Sequence, residues 1–197
     1  MSEASLGDED SDLEAPDTRT RLLDAAIHIA STQGLDKVTY RSVATQAGLS
    51  HSLVRFYFGS GEAMITAALE RAAQLDVEES HIRAATIEEF GVDLLDVMGG
   101  ERNRGMLQYD YLLRAVRRGV PLDRLVTLYD FYIGQVAGTL DDLDIDDPDG
   151  SIAAMILGAV DGLIMQHAIY ESDERTERTL DRIRDLLRLL KNSSSGR

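Results

Sequence analysis

Runs of apolar residues at helical spacing, most of them begun by a capping residue and several ended by glycine, occupy most of this 197-residue chain. It has only three prolines, and no stretch shows the strict apolar–polar alternation of a half-buried strand. We therefore predict an all-α fold. The length suits one domain, or one domain with a small additional module.

Several classes of site are excluded by composition. The chain has no cysteine, so disulfides, thiolate metal sites and cysteine nucleophiles are absent. Its four histidines are too far apart for a short metal motif. An acidic run near Asp142 lacks calcium-loop spacing, because Asp147 stands where glycine belongs and Ala153 where the bidentate glutamate belongs. We expect no metal, no cofactor and no catalytic residues.

No uninterrupted apolar run approaches the ~18–20 residues that span a bilayer, so the sequence excludes a membrane span. The acidic N-terminus also lacks the apolar segment of a signal peptide. These observations predict a cytoplasmic protein.

Charge is distributed unevenly. The net charge is -15, yet residues 18–60 carry five basic and two acidic side chains, while residues 1–17 carry seven acidic ones and no base. One short basic segment therefore lies inside a very acidic chain. Because local charge matters more than net charge for a polyanionic partner, this segment is the first candidate for a binding site.

Two short capped helices are predicted within this basic segment, at about 39–58. A longer helix precedes them, from about Asp17 to Gly34. Thr39 begins the first short helix, and Ser50 begins the second after a tight turn at Gly48. Such a pair is a helix-turn-helix, in which the second helix enters the DNA major groove. The alternative is a packed corner of a larger helical bundle.

Periodicity assigns the faces of the last short helix. The predicted inward residues are Leu49, Val54, Tyr57 and Phe58. The residues left pointing outward, where they suit base edges and thymine methyl groups, are His51, Ser52, Leu53, Arg55 and Phe56.

Longer amphipathic helices are predicted downstream, at about 61–78, 84–98, 103–118, from Gly119 and Pro121 to about Leu140, 150–171 and 174–191. The polar termini, residues 1–16 and 192–197, are predicted to be disordered tails.

The segment 18–66 resembles the TetR family of transcriptional regulators. The resemblance rests on Gly34, Val38–Ala44, Ala47–Ser50 and Phe56–Ser60, with a further match at Gly158–Leu163. It implies a three-helix DNA-binding domain at 17–62 and a larger helical ligand-binding and dimerisation domain at 63–191. It also implies a homodimer, and the last two helices have apolar stripes suited to that contact.

Candidate site residues follow from these assignments. The predicted DNA-binding residues are Thr39, Tyr40, Arg41, Ser50, His51, Ser52, Leu53, Arg55, Phe56 and Tyr57. The predicted ligand-binding residues are Tyr109, Leu112, Leu113, Val116, Leu125, Tyr129, Tyr132, Met155, Leu163 and His167. For any single tyrosine an ordinary core position is the alternative, and for His167 a satisfied interface position.

The expected function is that of a repressor, released from a palindromic double-stranded DNA operator by a small, largely apolar effector. One alternative is a scaffold dimer that binds ligand or protein without DNA, supported by the net charge and by Gly61, where many family members have lysine. The other is an all-helical enzyme, supported only by the existence of a pocket.

Overall fold

The computed structural model describes residues 17–99, 104–118 and 122–194, and within these ranges every regular element is helical. The N-terminal helices are α1 (Thr18–Gln33), α2 (Tyr40–Ala47) and α3 (His51–Phe58), with a 3-10 turn at Leu35–Lys37 between the first two. The remaining helices are α4 (Gly61–Ser80), α5 (Leu94–Gly99), α6 (Gly105–Arg118), α7 (Asp123–Asp142), α8 (Ser151–Tyr170) and α9 (Asp173–Ser194).

Local side-chain caps position the three N-terminal helices. The Asp17 side chain accepts a hydrogen bond from the Thr20 backbone N–H at 2.8 Å and thereby begins α1. Thr39 and Ser42 cap α2 reciprocally, at 3.1 and 2.9 Å. Ser50 accepts from the Leu53 N–H at 3.3 Å. These caps confirm the predicted starts of all three helices.

Two hydrophobic cores organise the chain. The first lies among α1–α4 around Leu22, Val43, Val54 and Met64, and it includes Leu107 from α6. The second lies among α4, α5, α7, α8 and α9, and its fully buried members include Phe90, Val136, Leu140, Ile156, Leu180 and Leu187. Helix α4 contributes to both cores, as expected for the helix that joins two units.

The predicted helix at 84–98 is wrong over most of its length, because residues 81–93 form successive turns before α5. Gly91 has a left-handed φ of 66°, and a Cβ there would approach Leu180 at 3.1 Å. Contacts from distant helices replace helical hydrogen bonding: Thr139 Oγ1 accepts from the Ala84 N–H at 2.9 Å, and Arg184 Nε donates to the Phe90 carbonyl at 3.0 Å.

Helix α9 extends into the predicted C-terminal tail. Residues 192–194 continue α9, so the prediction of a disordered end from residue 192 is wrong for these three positions. Residues 1–16 and 195–197 lie outside the described residues, as do Gly119 and Pro121.

The exclusion of a membrane span was too strong. Helix α8 is long enough and apolar enough to cross a bilayer by length and composition, with a mean hydropathy of 1.7 over its most apolar window. Core helices of soluble proteins pass the same test. In this fold α8 packs between α7 and α9 and carries Asp161 near its middle.

Candidate nucleic-acid interface and effector cavity

Helices α2 and α3 form a helix-turn-helix. Between them Gly48 adopts a left-handed conformation (φ 64°, ψ 34°) that a residue with a Cβ rarely takes. Arg21 on α1 donates from Nη2 to the Ala47 carbonyl at 3.0 Å, which ties the end of α2 to α1. Val54 and Phe58 anchor α3 in the N-terminal core.

The outer face of α3 is exposed as predicted for His51, Ser52, Arg55 and Phe56, and the Phe56 side chain is 80% exposed. Leu53 is half-buried. The inward placement of Tyr57 is wrong, because its side chain is 38% exposed and its ring packs edge-on against Phe56 at 5.4 Å.

Neighbouring side chains restrict the orientation of the outer face. The hydroxyls of Ser50 and Ser52 lie 2.9 Å apart, so one donates a hydrogen bond to the other. The rings of Tyr40 and His51 meet edge-on at 5.6 Å, which links the start of α2 to the start of α3. The two helix N-termini therefore form one continuous surface with their free N–H groups.

Two arginines give this surface its positive charge. Arg41 on α2 and Arg55 on α3 are exposed, and neither has an ion-pair partner among the residues that the structure describes. Their guanidinium groups are available for phosphate or guanine. Thr39, the α2 cap, lies at the same edge.

A cavity of about 260 Å³ opens between α4, α6 and α7. Its apolar walls include Leu69, Ala73, Leu125, Leu128 and Phe131, and its polar rim includes Glu70 and Arg124. This volume accommodates a small organic molecule. The buried hydroxyl of Thr66, which also lines the cavity, has no hydrogen-bond partner within the described part of the chain.

A much smaller chamber of about 30 Å³ lies beside it, between α4, α5, α6, α7 and α8. Its polar lining consists of Asp76, Ser80, Gln108, Tyr132 and Asp161. Packed side chains separate the two spaces, because the region between Leu69, Ala73 and Leu128 on one side and Asp76, Gln108 and Tyr132 on the other has no room for a water molecule.

A buried carboxylate, Asp76, and a half-buried one, Asp161, border the small chamber. Asp76 accepts from Arg104 Nε at 2.9 Å and from the Tyr132 hydroxyl at 3.4 Å, and Arg104 also bonds Glu79. Asp161 accepts from the Tyr109 hydroxyl at 2.9 Å and from Tyr129. Burial raises the pKa of both carboxyl groups, although their hydrogen-bond donors oppose this. Burial together with Asp161 raises the pKa of Tyr129 to about 12.

Comparison with known proteins agrees with this architecture. Residues 22–68 match the family model described as bacterial regulatory proteins, tetR family. This segment of the chain is therefore similar to the DNA-binding region of the TetR family. A TetR-family structure from Rhodococcus sp. superposes with a TM-score of 0.71 at 18% identity, covering 88% of this chain and 97% of that one. At this identity the likeness concerns the fold alone.

Two further relatives are similar. The HTH-type transcriptional repressor KstR of Mycolicibacterium smegmatis is 31% identical over 118 residues, which is 60% of this chain. The chain spans about half the length of that relative (55%). The multidrug binding protein EbrR, solved with imidazole, superposes with a TM-score of 0.60 at 21% identity, covering 89% of this chain and 96% of that one.

The fold brings together only part of the predicted ligand set. Leu125 lines the larger cavity, Tyr132 lines the small chamber, and Tyr109 and Tyr129 hydrogen-bond a chamber carboxylate. Leu112 is half-buried against the second core, and Leu163 is buried within it. Leu113, Val116 and Met155 are exposed and line neither cavity, so their prediction as pocket residues is not supported.

His167 is satisfied within its own chain. Its Nδ1 lies 2.9 Å from the buried Thr176 hydroxyl, in the contact between α8 and α9. The sequence left open a satisfied interface position for His167, and the structure places it at the contact between two helices of the same protomer. His167 lines neither cavity.

Sequence reasoning missed Asp76, Arg104 and Asp161. A usable signal was present for Asp161, a single carboxylate within the otherwise apolar segment of α8. Asp76 likewise interrupts a run of small and apolar residues on the core face of α4, between Ala73 and Ser80. Arg104 carried no such signal, because its partners lie 25 and 28 residues away.

Helix α6 connects the cavity region to the helix-turn-helix unit. The Asp110 carboxylate accepts from the Leu35 N–H at 3.2 Å, and Arg114 pairs with Asp36 at 2.9 Å. Leu107 inserts into the first core, and Tyr111 contacts both cores and lines the larger cavity. Helix α6 therefore joins α4 in connecting the two cores.

Proposed function

We propose that this chain is a sequence-specific DNA-binding transcriptional regulator, with the DNA-binding domain at residues 17–62 and the effector and dimerisation domain at 63–191. The observation that carries the proposal is the capped α2–α3 unit with an exposed reading face, within the segment matched by the family model. His51, Ser52, Leu53, Arg55 and Phe56 are assigned to bases. Thr39, Tyr40, Arg41, Ser50 and Tyr57 are assigned to phosphates.

Electrostatics supports this orientation on DNA. Residues 18–60 carry a net charge of +3 within a chain of net charge -15, so this unit attracts a polyanion although the whole chain is acidic. Few basic residues contact phosphate, and affinity is therefore expected to be modest and to fall steeply with salt.

A homodimer through α8 and α9 supports binding to a palindrome. Exposed apolar side chains on α8 include Met155, Met165 and Ile169, and Leu189 is exposed on α9. Gly158 and Gly162 on the same helix have open space where a Cβ would stand, so packing within the protomer does not require glycine there. Small residues of this kind allow the close approach of a partner helix, and a two-fold axis pairs the two reading heads.

The larger cavity is assigned to a small, largely apolar effector. Its binding favours a dimer whose two α3 helices no longer match half-sites ~34–36 Å apart, or a multiple of that distance. A coupling of about 1–3 kcal/mol changes operator affinity roughly 5- to 150-fold. Repression followed by release is the expected mode, and one similar protein is named as a repressor and another as a multidrug binding protein. Such a regulator acts in the cytoplasm.

The test is selection of bound duplexes from a random pool, at low and at physiological salt. Recovery of one palindromic motif is expected, and it supplies an operator for effector screening. If no motif is recovered even at low salt, the scaffold that binds no DNA replaces this proposal. TetR-family regulators are non-enzymatic, so the enzyme alternative is set aside.

A further inference from the structure

The basic residues of the DNA-binding unit are not neutralised by carboxylates. Its two acidic residues already have partners on other helices, because Asp24 pairs with Arg71 on α4 at 2.7 Å and Asp36 pairs with Arg114 on α6 at 2.9 Å. Five basic residues of the unit are exposed and have no ion pair among the residues that the structure describes: Arg19, Arg21, Lys37, Arg41 and Arg55. The unit therefore presents uncompensated positive charge.

A strongly acidic segment precedes this unit in the chain. Residues 1–16, which lie outside the described residues, contain no lysine or arginine, and their acidic residues are Glu3, Asp8, Glu9, Asp10, Asp12 and Glu14. Runs of like charge of this kind often act as interaction segments for surfaces of the opposite sign. The same chain therefore carries a charge complement to the basic residues of its own DNA-binding unit.

The acidic segment joins the folded chain directly beside the helix-turn-helix. The first turn of α1 contacts α3, because the Arg19 guanidinium lies 5.9 Å from the centroid of the Phe58 ring. It also contacts the end of α2, because Arg21 donates to the Ala47 carbonyl at 3.0 Å. Sixteen residues reach ~53–58 Å when fully extended and ~20–24 Å as a flexible coil, whereas an eight-residue helix such as α3 is ~12 Å long. The segment can thus reach the whole surface.

We propose that residues 1–16 bind the surface of α2 and α3 that carries Arg41 and Arg55, and compete there with DNA. This competition presupposes the proposed DNA-binding function and adds regulation of the same surface. Covalent attachment places the carboxylates near the arginines at an effective concentration in the millimolar range. Each exposed ion pair is weak, so the contact is loose and a duplex displaces it. Because the competition is electrostatic, it lowers affinity for operator and non-specific DNA alike.

The contact is tested first without DNA. The chain has no cysteine, so Ser5→Cys provides a single attachment point for a nitroxide spin label. In the isotopically enriched full chain, the label should broaden the amide resonances of Arg41 and Arg55 at low salt. The broadening should fall at about 1 M salt, where the Debye length is ~3 Å, while Arg178 on α9 remains unaffected throughout.

The same label is then placed in a chain whose acidic segment is neutralised. The six substitutions are Glu3→Gln, Asp8→Asn, Glu9→Gln, Asp10→Asn, Asp12→Asn and Glu14→Gln. They keep the length of the tether and remove its charge, so the broadening at Arg41 and Arg55 should fall at least about twofold. Equal broadening in the acidic and neutralised chains, or broadening that is insensitive to salt, overturns the inference.

Duplex affinity tests the competition. The neutralised chain should bind both the selected operator and a scrambled duplex about 3- to 10-fold more tightly at low salt. This gain should shrink near 200 mM salt, because salt also releases the acidic segment from the unaltered chain.

A matched control removes the same number of charges beyond residue 60. Its substitutions are Glu78→Gln, Asp96→Asn, Asp123→Asn, Asp130→Asn, Asp141→Asn and Asp146→Asn, all at exposed carboxylates without an ion pair among the described residues. Both variants have a net charge of -9, since six charges are removed from -15. The control should change duplex affinity less than about twofold. Equal gains in the two variants, or no gain in the neutralised chain, overturn the competition.

The two measurements separate this proposal from the proposed function. A contact between the acidic segment and α3 in a chain that selects no DNA motif contradicts the proposed function and leaves the contact standing. A chain that selects a palindrome without any such contact contradicts only the role of residues 1–16. A gain in duplex affinity without the contact means that the segment repels DNA directly, which also overturns the inference.

Discussion

Individual side chains divide into those that a local pattern predicts and those that the fold places. The exposed face of α3 follows from helical periodicity, so His51, Ser52, Arg55 and Phe56 were predictable. The polar lining of the small chamber was not, because Asp76, Gln108 and Asp161 come from three different helices. Their proximity depends on packing between elements that the sequence orders but does not orient.

Phosphate contact by Arg41 predicts a loss that does not depend on sequence. Arg41→Ala should weaken binding to all duplexes alike and reduce the slope of log affinity against log salt by about 1. Salt-titrated binding to the selected operator and to a scrambled duplex measures both quantities. Arg178→Ala, an equivalent change on the exposed side of α9, serves as the control and should change neither. A loss confined to the operator would assign Arg41 to base reading instead.

Substitution of Ser52 should instead change the sequence preference of DNA binding. Ser52→Ala removes a hydroxyl from the reading face, so discrimination at one operator position should fall by ~1–3 kcal/mol while other positions are retained. The Ser52 hydroxyl is hydrogen-bonded to the Ser50 hydroxyl. This bond must break before the Ser52 hydroxyl can both donate to and accept from a base edge. Competition with single-base operator variants measures the change. A uniform loss on every variant would contradict the base-reading role.

The half-buried carboxylate of Asp161 predicts a pH dependence of stability. Because burial raises its pKa, the folded state holds this proton more tightly than the unfolded chain does. Its stabilising contribution is complete below the ordinary aspartate pKa of about 3.9, and it is lost as pH rises through the folded value. Asp161→Asn should therefore melt at a higher temperature than the unaltered chain at pH 7, with a gap that narrows toward pH 4.

Thermal melts across this pH range test the expectation. The exposed control Asp130→Asn should show no such trend. A gap that stays constant with pH would mean that the substitution acts through packing rather than through the carboxylate charge.

Four helices begin where a local side chain caps them, and these starts were the most predictable part of the fold. Asp17, Thr39, Ser50 and Ser60 each accept a hydrogen bond from an N–H three residues ahead. The predicted helix at 84–98 is wrong because contacts distant in sequence determine that segment. Thr139 and Arg184 hydrogen-bond to its backbone from more than 50 residues away. Local patterns carry no information about such contacts.

The α2–α3 turn offers a stability test with an internal control. Gly48→Ala places a Cβ in a left-handed conformation and should lower the free energy of unfolding by about 1–2 kcal/mol. Gly61→Ala, in the first turn of α4 with open space around its Cα, should be neutral or stabilising by up to about 1 kcal/mol. Denaturant unfolding of both variants measures the difference. Equal effects would contradict the strain argument.

The whole protomer has two cores that share α4 and are joined again by α6. Tyr111 packs against both cores and lines the larger cavity, so a molecule bound there touches a residue that contacts the DNA-binding unit. The ion pair of Arg114 with Asp36 lies on the same helix. A change at the cavity thus has a direct physical path to the helix-turn-helix.

Assembly is tested at the exposed face of α8. Gly158→Leu adds bulk where a partner helix is expected, so sedimentation should show a shift from dimer to monomer and operator affinity should fall. Gly134→Leu makes the same change on α7, where a Cβ also meets open space, and should leave the dimer intact. Both variants gain helix propensity, which protects against loss of folding. If both variants remain dimers, the interface does not include this face of α8.

The uneven charge of this molecule has a consequence for how it would find a target in a chromosome. A genome offers ~10⁶–10⁹ competing non-specific sites, and attraction to them comes almost entirely from basic side chains. Here few basic residues face the duplex, and the region beyond residue 60 carries a net charge of -11. Bulk DNA would therefore sequester few copies, and operator occupancy would follow the number of molecules in the cell directly.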